Sequence, residues 1–482
     1  MPDLERLAAS CILPGFEGPT VPDWVRRRIA DGLGGVVLYA WNVESTEQLR
    51  TLTADLRAER DDLIVAIDEE GGDVTRLEVA TGSSYPGNAA LGVVDDADLT
   101  ERVAGSLGGE LAAVGVTLDF APVADVNTNS QNPVIGIRSF GSDPDLVARH
   151  VAASVRGLQR AGVAACAKHF PGHGDTSVDS HLALPVVDSL DPLALEPFRA
   201  AIAAGVRAIM TAHIVVRSVG DTPATMSHEI LGDLLRGELG FEGLVVTDAL
   251  EMKAISETVG VEEGAVRAIA AGADALCLGH DLFDESVLSV RDALVGAVGS
   301  GRLPEGRLVE AAGRVAALVM PAGDVDVDRS LGRIAAGQAL RREGDGRIDG
   351  PTLLVELVPE VGMAAGRLSQ LPGEWFQAVV PDSELHRFEE APQDLALDGR
   401  QLVVIVRDAH RHEWERQTVE ALLERQPHAI VVEIGLPHWR PTRDATYVAT
   451  YGAARVNVEA AAEALYSGPR RGVEQSGSSP GS

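Results

Sequence analysis

The sequence predicts an α/β protein: a (β/α)8 TIM-like barrel followed by a smaller α/β layered domain. Three observations lead there. Up to about residue 320, short β-rich apolar runs alternate with Ala/Leu/Arg-rich stretches of helical period, as repeated βα units around a parallel sheet require. Polar, titratable residues stand just after most of those runs. The pattern then lapses and restarts, and 482 residues with 45% hydrophobic composition exceed the roughly 250–300 residues at which a single core stops growing.

The barrel strands are expected at Cys11–Pro14, Gly35–Tyr39, Leu63–Ile67, Leu118–Ala121, Ala164–Ala167, Ala208–Thr211, Leu244–Thr247 and Ala275–Leu278. After them come Asp68, Asp125, Lys168, His169, His213, Asp248 and His280. An open doubly wound sheet is the rival architecture, but it would gather its polar groups at one switch point rather than spread them over many strand ends. Residues 1–325 are therefore assigned to the barrel. Residues 326–350, rich in Gly, Asp and Arg, are read as a linker. Residues 351–467 form the second domain, with strands at Thr352–Leu357, Ala378–Val380, Gln401–Val406, Ala429–Ile434 and Thr446–Thr450 and a helix at Glu413–Arg425. The Gly/Ser-rich stretch 468–482 is expected to be disordered.

A net charge of −31 argues against nucleic acid or an anionic membrane surface as partner. The cations are almost all arginine; the two lysines are Lys168 and Lys253. GC-rich coding bias and adaptation to high salt both produce such a surface, and a lysine retained at a strand end draws attention to Lys168. Cys11, Cys166 and Cys277 are too scattered for a disulfide framework and read as small core residues. With no basic leader and no run of ~20 apolar residues, a cytoplasmic location is expected.

The loop after the fifth strand carries the chemistry. Lys168-His169-Phe170-Pro171-Gly172-His173-Gly174-Asp175 runs on through Thr176-Ser177-Val178-Asp179-Ser180-His181, bringing six titratable side chains onto one Gly-rich stretch. A single histidine there is readily a satisfied structural group, but a core cannot supply partners for all six. Asp179 and His181 are two apart, a spacing that lets the carboxylate reach the near imidazole nitrogen and make the histidine a proton carrier. Asp248, ending the seventh strand, is the candidate anionic nucleophile; the bland alternative is an N-cap for the next helix.

Together with Asp68-Glu69-Glu70-Gly71-Gly72 and Val246-Thr247-Asp248, this loop resembles glycoside hydrolase family 3, in its bacterial β-N-acetylhexosaminidase (N-acetylglucosaminidase) branch. The resemblance runs through the barrel in order and spacing. It implies that Asp248 is the nucleophile, that His181 paired to Asp179 is the general acid/base, and that Asp68, Arg76, Arg138, Lys168 and His169 hold substrate hydroxyls. Two departures add negative charge near this motif: Glu69 stands where an amide is usual, and Asp73 where a base is usual.

The expected activity is that of a retaining β-N-acetylglucosaminidase, cleaving terminal N-acetyl-β-glucosaminides by double displacement, with cell-wall recycling one expected setting. The alternative is a phosphorylase that admits inorganic phosphate in the second step, because an imidazole does not repel that anion as a carboxylate would. A small-molecule glycoside is the expected partner, and no cofactor or metal is expected. A metal-dependent hydrolase using His169, His173, Asp175, Asp179 and His181 is disfavoured, since Pro171 and Gly172 prevent His169 and His173 from sharing a helical face. A non-catalytic sugar sensor is disfavoured because nucleophile and proton carrier are all present.

Overall fold

The computed structural model describes residues 3–177, 183–359 and 371–467, and these divide into two compact units, one ending at Ala339 and the other starting at Leu340. In the first unit eight parallel strands follow one another: β1 (Ile12–Pro14), β2 (Gly35–Leu38), β3 (Ile64–Ile67), β4 (Leu118–Asp119), β5 (Ala164–Phe170), β6 (Ala208–Thr211), β7 (Leu244–Val246) and β8 (Leu276–Gly279). The strands β2 to β7 form one curled sheet in sequence order, and β8 pairs with β1. A parallel bridge from Val246 to Ala275 joins β7 to the start of β8. This is the curled parallel sheet of a TIM-like domain.

The strands are buried on both faces, so their sequences read as continuous apolar runs, and the side-chain period of two sorts them into two cores. Leu13, Val37, Ala66, Phe120, Cys166, Met210, Val246 and Cys277 form one cluster inside the sheet's curl. Val36, Val65, Ile67, Ala165, Ala167, Ile209, Val245 and Leu276 join the outer helices instead. Among those helices Ala97–Ala113 and Pro144–Arg160 pack closely together. All three cysteines are buried free thiols.

Within the stretch read as a linker, Ser330–Ala339 is a helix, packed on the helices Asn88–Val94 and Ala97–Ala113. Its buried side is Leu331, Gly332, Ala335, Ala336 and Ala339. Such small residues make a weak apolar period, which is why the sequence concealed the element.

The second unit is a six-stranded sheet. In chain order its strands are β9 (Arg341–Glu343), β10 (Thr352–Leu357), β11 (Ser383–Phe388), β12 (Gln401–Val406), β13 (Ile430–Glu433) and β14 (Thr446–Ala449), and across the sheet they run β9-β14-β13-β12-β10-β11, with β9 antiparallel. The helix Glu413–Arg425 has the bounds its period predicts. Ala378–Val380 does not form the expected strand; it lies at the end of the helix Pro372–Val379. The strand is β11, an edge strand with no fully buried residue, so it carries no apolar run to betray it. Among the described residues no helix is long and apolar enough to cross a membrane.

Candidate active site

The inner core cluster fixes which side chains reach the catalytic end of the sheet. In β3, β5 and β7 the inward residues are Ala66, Cys166 and Val246, so two positions further on the same face present Asp68, Lys168 and Asp248. Electrostatics agree with this placement. The Cys166 and Cys277 thiols are pushed up first by burial, and both also feel the carboxylates of Asp68 and Asp248.

Lys168 is the hub of the first group. Its Nζ lies 2.7 Å from Asp68 Oδ1 and 2.7 Å from Glu70 Oε1, with the lysine side chain 2% exposed. Glu70 in turn accepts a two-pronged pair from Arg138, Nη2 to Oε1 at 2.7 Å and Nε to Oε2 at 3.0 Å. Burial alone would raise the Glu70 carboxyl, but the charges of Arg138 and Lys168 outweigh it and hold the group well below the usual carboxylate range. Burial likewise disfavours the Lys168 ammonium, and Asp68 and Glu70 together keep it above its ordinary value. Both cations therefore stay charged in a dry wall.

Glu69, next to Glu70, faces elsewhere. It is 1% exposed, and its Oε2 accepts the backbone N–H groups of Arg76 at 2.7 Å and Leu77 at 2.9 Å. Burial pushes its carboxyl up to about 7. The negative charge expected from this departure is thus turned into the fold, where it braces the loop that carries Arg76; Arg76 and Asp73 are buried as well.

Lys168 and His169 were expected in a loop but lie within β5 itself. The β5–β6 register shifts between Ala167 and Phe170, where three steps along β5 match two along β6. Such an insertion re-aims side chains, and it lets two consecutive residues serve the same region. His169 Nδ1 donates to Asp125 Oδ2 at 2.7 Å, because a carboxylate only accepts, and this leaves Nε2 as the ring's other polar atom. Asp125 Oδ1 also accepts the His173 backbone N–H at 2.6 Å. The His173 ring meets the Thr176 hydroxyl at 2.6 Å, and burial lowers its pKa to about 4, so it is a neutral structural histidine.

Asp248 follows β7 and accepts the Ala249 N–H on Oδ1 at 2.8 Å. The next helix, Lys253–Ser256, is capped at Met252, so Asp248 is not its N-cap. The buried His213 holds the same turn: its Nε2 donates to the Ala249 carbonyl at 3.0 Å while Nδ1 meets Thr225 Oγ1 at 2.7 Å. Asp179 and His181 lie outside the described residues.

Sequence reasoning gave no role to Glu70, Asp125 or His213. Asp125 and His213 were visible as titratable residues after strands, but Glu70 was indistinguishable from Glu69 until the fold separated them. Among the described residues, the His/carboxylate grouping with metal-like spacing is Glu251, His280 and Asp281 rather than the β5 loop. Its Glu251 oxygens already accept the backbone N–H groups of His280 at 2.8 Å and Asp281 at 2.6 Å.

Comparison with known proteins bears on the family and the fold. Residues 15–318 match the Glycosyl hydrolase family 3 N terminal domain. Beta-hexosaminidase A of Pseudoalteromonas piscicida is 40% identical over 268 residues, which are 50% of this chain and 45% of that protein. The beta-hexosaminidase of Neisseria meningitidis serogroup B is 38% identical over 275 residues, covering 54% of this chain and 76% of the relative. This chain thus spans under half the length of the first relative and about three quarters of the second. Among solved structures, a family 3 beta-N-acetylglucosaminidase from Paenibacillus sp. FPU-7 superposes with a TM-score of 0.86 at 36% identity, covering 96% of this chain and 97% of that one. With a family domain matched over most of the barrel and relatives that agree in sequence and in fold, the chain belongs to glycoside hydrolase family 3.

Proposed function

We propose that this chain is a retaining β-N-acetylglucosaminidase that releases terminal N-acetyl-β-glucosamine by double displacement. The observation that supports the reading is that Asp68, Lys168 and Asp248 each fall two positions beyond the inward residues Ala66, Cys166 and Val246, with Lys168 Nζ 2.7 Å from Asp68 Oδ1. The names of the beta-hexosaminidase relatives support the substrate class.

In the first step Asp248 attacks the anomeric carbon as the bond to the leaving oxygen breaks, and a protonated His181, held by Asp179, gives that oxygen its proton. In the second step water attacks the same carbon, returns a proton to His181 and frees the Asp248 carboxylate, so configuration is retained. The roles of Asp179 and His181 rest on the spacing and context of their motif. Asp68, Arg138, Lys168 and His169 would hold the hydroxyls, with Arg76 beside them. The preformed Lys168–Glu70–Arg138 network spares the substrate the cost of ordering these groups.

The test is turnover of an aryl N-acetyl-β-glucosaminide against the matching β-glucoside, with and without inorganic phosphate. Preference for the N-acetyl substrate and release of free sugar are expected, with turnover lost in Asp248→Ala. Sugar 1-phosphate as the main product would instead establish the phosphorylase reading, and undiminished turnover in D248A would overturn the nucleophile assignment.

A further inference from the structure

Two buried acids beside the Asp68–Glu70 turn take no part in the reaction described above. Asp119 ends β4, and since Leu118 and Phe120 on either side of it point into the curl, it turns outward; Glu69 falls two positions beyond the outward Ile67. The two acids are linked directly, because Asp119 Oδ1 accepts the Glu69 backbone N–H at 2.9 Å. Glu69 is 1% exposed and Asp119 not at all, and Asp119 Oδ2 has no hydrogen-bond partner among the described residues.

The Glu69 side chain holds the segment that carries Arg76. Its Oε2 accepts the N–H groups of Arg76 at 2.7 Å and Leu77 at 2.9 Å, and Thr75 bonds the same carboxyl. Among the charged groups around it, the Arg76 guanidinium favours the ionised form. Asp119 is itself raised, first by burial, and feels the charges of Glu69, Lys168 and Asp68. For Glu69 burial outweighs both its hydrogen bonds and Arg76, which brings the carboxyl up to about 7. The acid is therefore neutral below about pH 7 and ionised above it.

We infer that Glu69 is a positioning residue for the sugar that acts through Arg76: the neutral acid braces the Arg76 segment for binding, and the carboxylate draws the guanidinium to itself. In the neutral form the carboxyl still accepts two backbone N–H groups and exerts no net charge on its neighbour. Once ionised, it attracts a buried cation in surroundings that strengthen the attraction, and a sugar hydroxyl must then compete with a full charge for Arg76. Sugar binding is tight while Glu69 is neutral and weakens as it ionises. A glutamine in its place would offer the same accepting oxygen and gain no charge at any pH. The inference deepens the N-acetylglucosaminidase reading, in which Arg76 lies beside the hydroxyl-holding residues, and rests on it.

The test is competitive inhibition of the full chain by N-acetylglucosamine, an uncharged sugar, against an aryl N-acetyl-β-glucosaminide, between about pH 5.5 and 8.5. The inhibition constant is expected to rise about tenfold over that range in the unaltered chain and to stay near its low-pH value in Glu69→Gln. Any contribution from His181 is common to both proteins, so the difference between the two profiles is what reads Glu69. Glu69→Ala removes the accepting oxygen and is expected to bind weakly at every pH, so that rescue by Gln and not by Ala marks a positioning carboxyl; if E69A does not fold, E69Q alone decides. Superimposable profiles in the unaltered chain and E69Q overturn the inference, as does an absence of inhibition at every pH. Failure of the unaltered chain to turn over the aryl N-acetyl-β-glucosaminide overturns the N-acetylglucosaminidase reading instead.

Discussion

Lys168 Nζ lies 2.7 Å from Glu70 Oε1, and Arg138 Nη2 reaches that same oxygen at 2.7 Å, so one buried carboxylate bridges two cations. Removing the shared anion leaves Lys168 with Asp68 and takes from Arg138 the carboxylate it pairs with. Glu70→Ala is therefore expected to destabilise the fold by about 3–5 kcal/mol, the range for breaking a buried ion pair from one side. Denaturant unfolding of the intact chain checks this, and a loss under about 1 kcal/mol would show that water screens the wall.

Asp125 sets the His169 ring by accepting from Nδ1 at 2.7 Å. In Asp125→Asn the acceptor loses its charge, and one of its two polar atoms becomes a donor. A charge-assisted bond of this kind is worth about 1.5–3 kcal/mol. The expected result is a drop of about 10- to 100-fold in kcat/KM with the melting temperature much less affected, measured by steady-state kinetics beside thermal unfolding.

His213 bonds the Ala249 carbonyl next to Asp248 and so acts on that aspartate, the proposed nucleophile, only through the turn it holds. His213→Ala is expected to lower kcat more than it raises KM. A change confined to KM would place the histidine in ground-state binding instead.

The second unit should lose stability as pH rises from the ordinary carboxyl range to about 9. Glu415 and Glu433 are both buried, and burial pushes their carboxyls up to about 9 and about 8, with each further raised by a neighbouring carboxylate. Since the folded values lie above the unfolded ones, this contribution to stability is fully present below the unfolded carboxyl range. It is lost progressively as pH rises from the ordinary carboxyl value of 4.5 to about 8 to 9, where the loss is complete. Melting temperature against pH should fall over that window, and Glu415→Gln, which stays neutral, should flatten the fall. An identical profile in E415Q would remove Glu415 as its source.

The extent to which the sequence disclosed this site differs from residue to residue. Asp68, Lys168 and Asp248 were legible because each follows an apolar strand run, and a strand end in such a fold is a functional address. The helix Glu413–Arg425 was legible to its ends because its apolar period is local. Glu69 and Glu70 were not separable: two adjacent acids carry the same signal, and only the pleat sends one to the backbone of Arg76 and Leu77 and the other to Lys168 and Arg138. The edge strand β11 was hidden for a different reason, since it buries too little apolar surface to write a pattern.

By itself, then, the sequence determined what depends on neighbours along the chain: the alternation of strands and helices, and the motif that marks the family. Tertiary structure decided what depends on residues far apart. Lys168 meets Asp68 across 100 positions, and His169 meets Asp125 across 44. Those contacts set which carboxylates are charged and which histidines are structural. Burial and Coulomb energy act through space, and no local pattern records them.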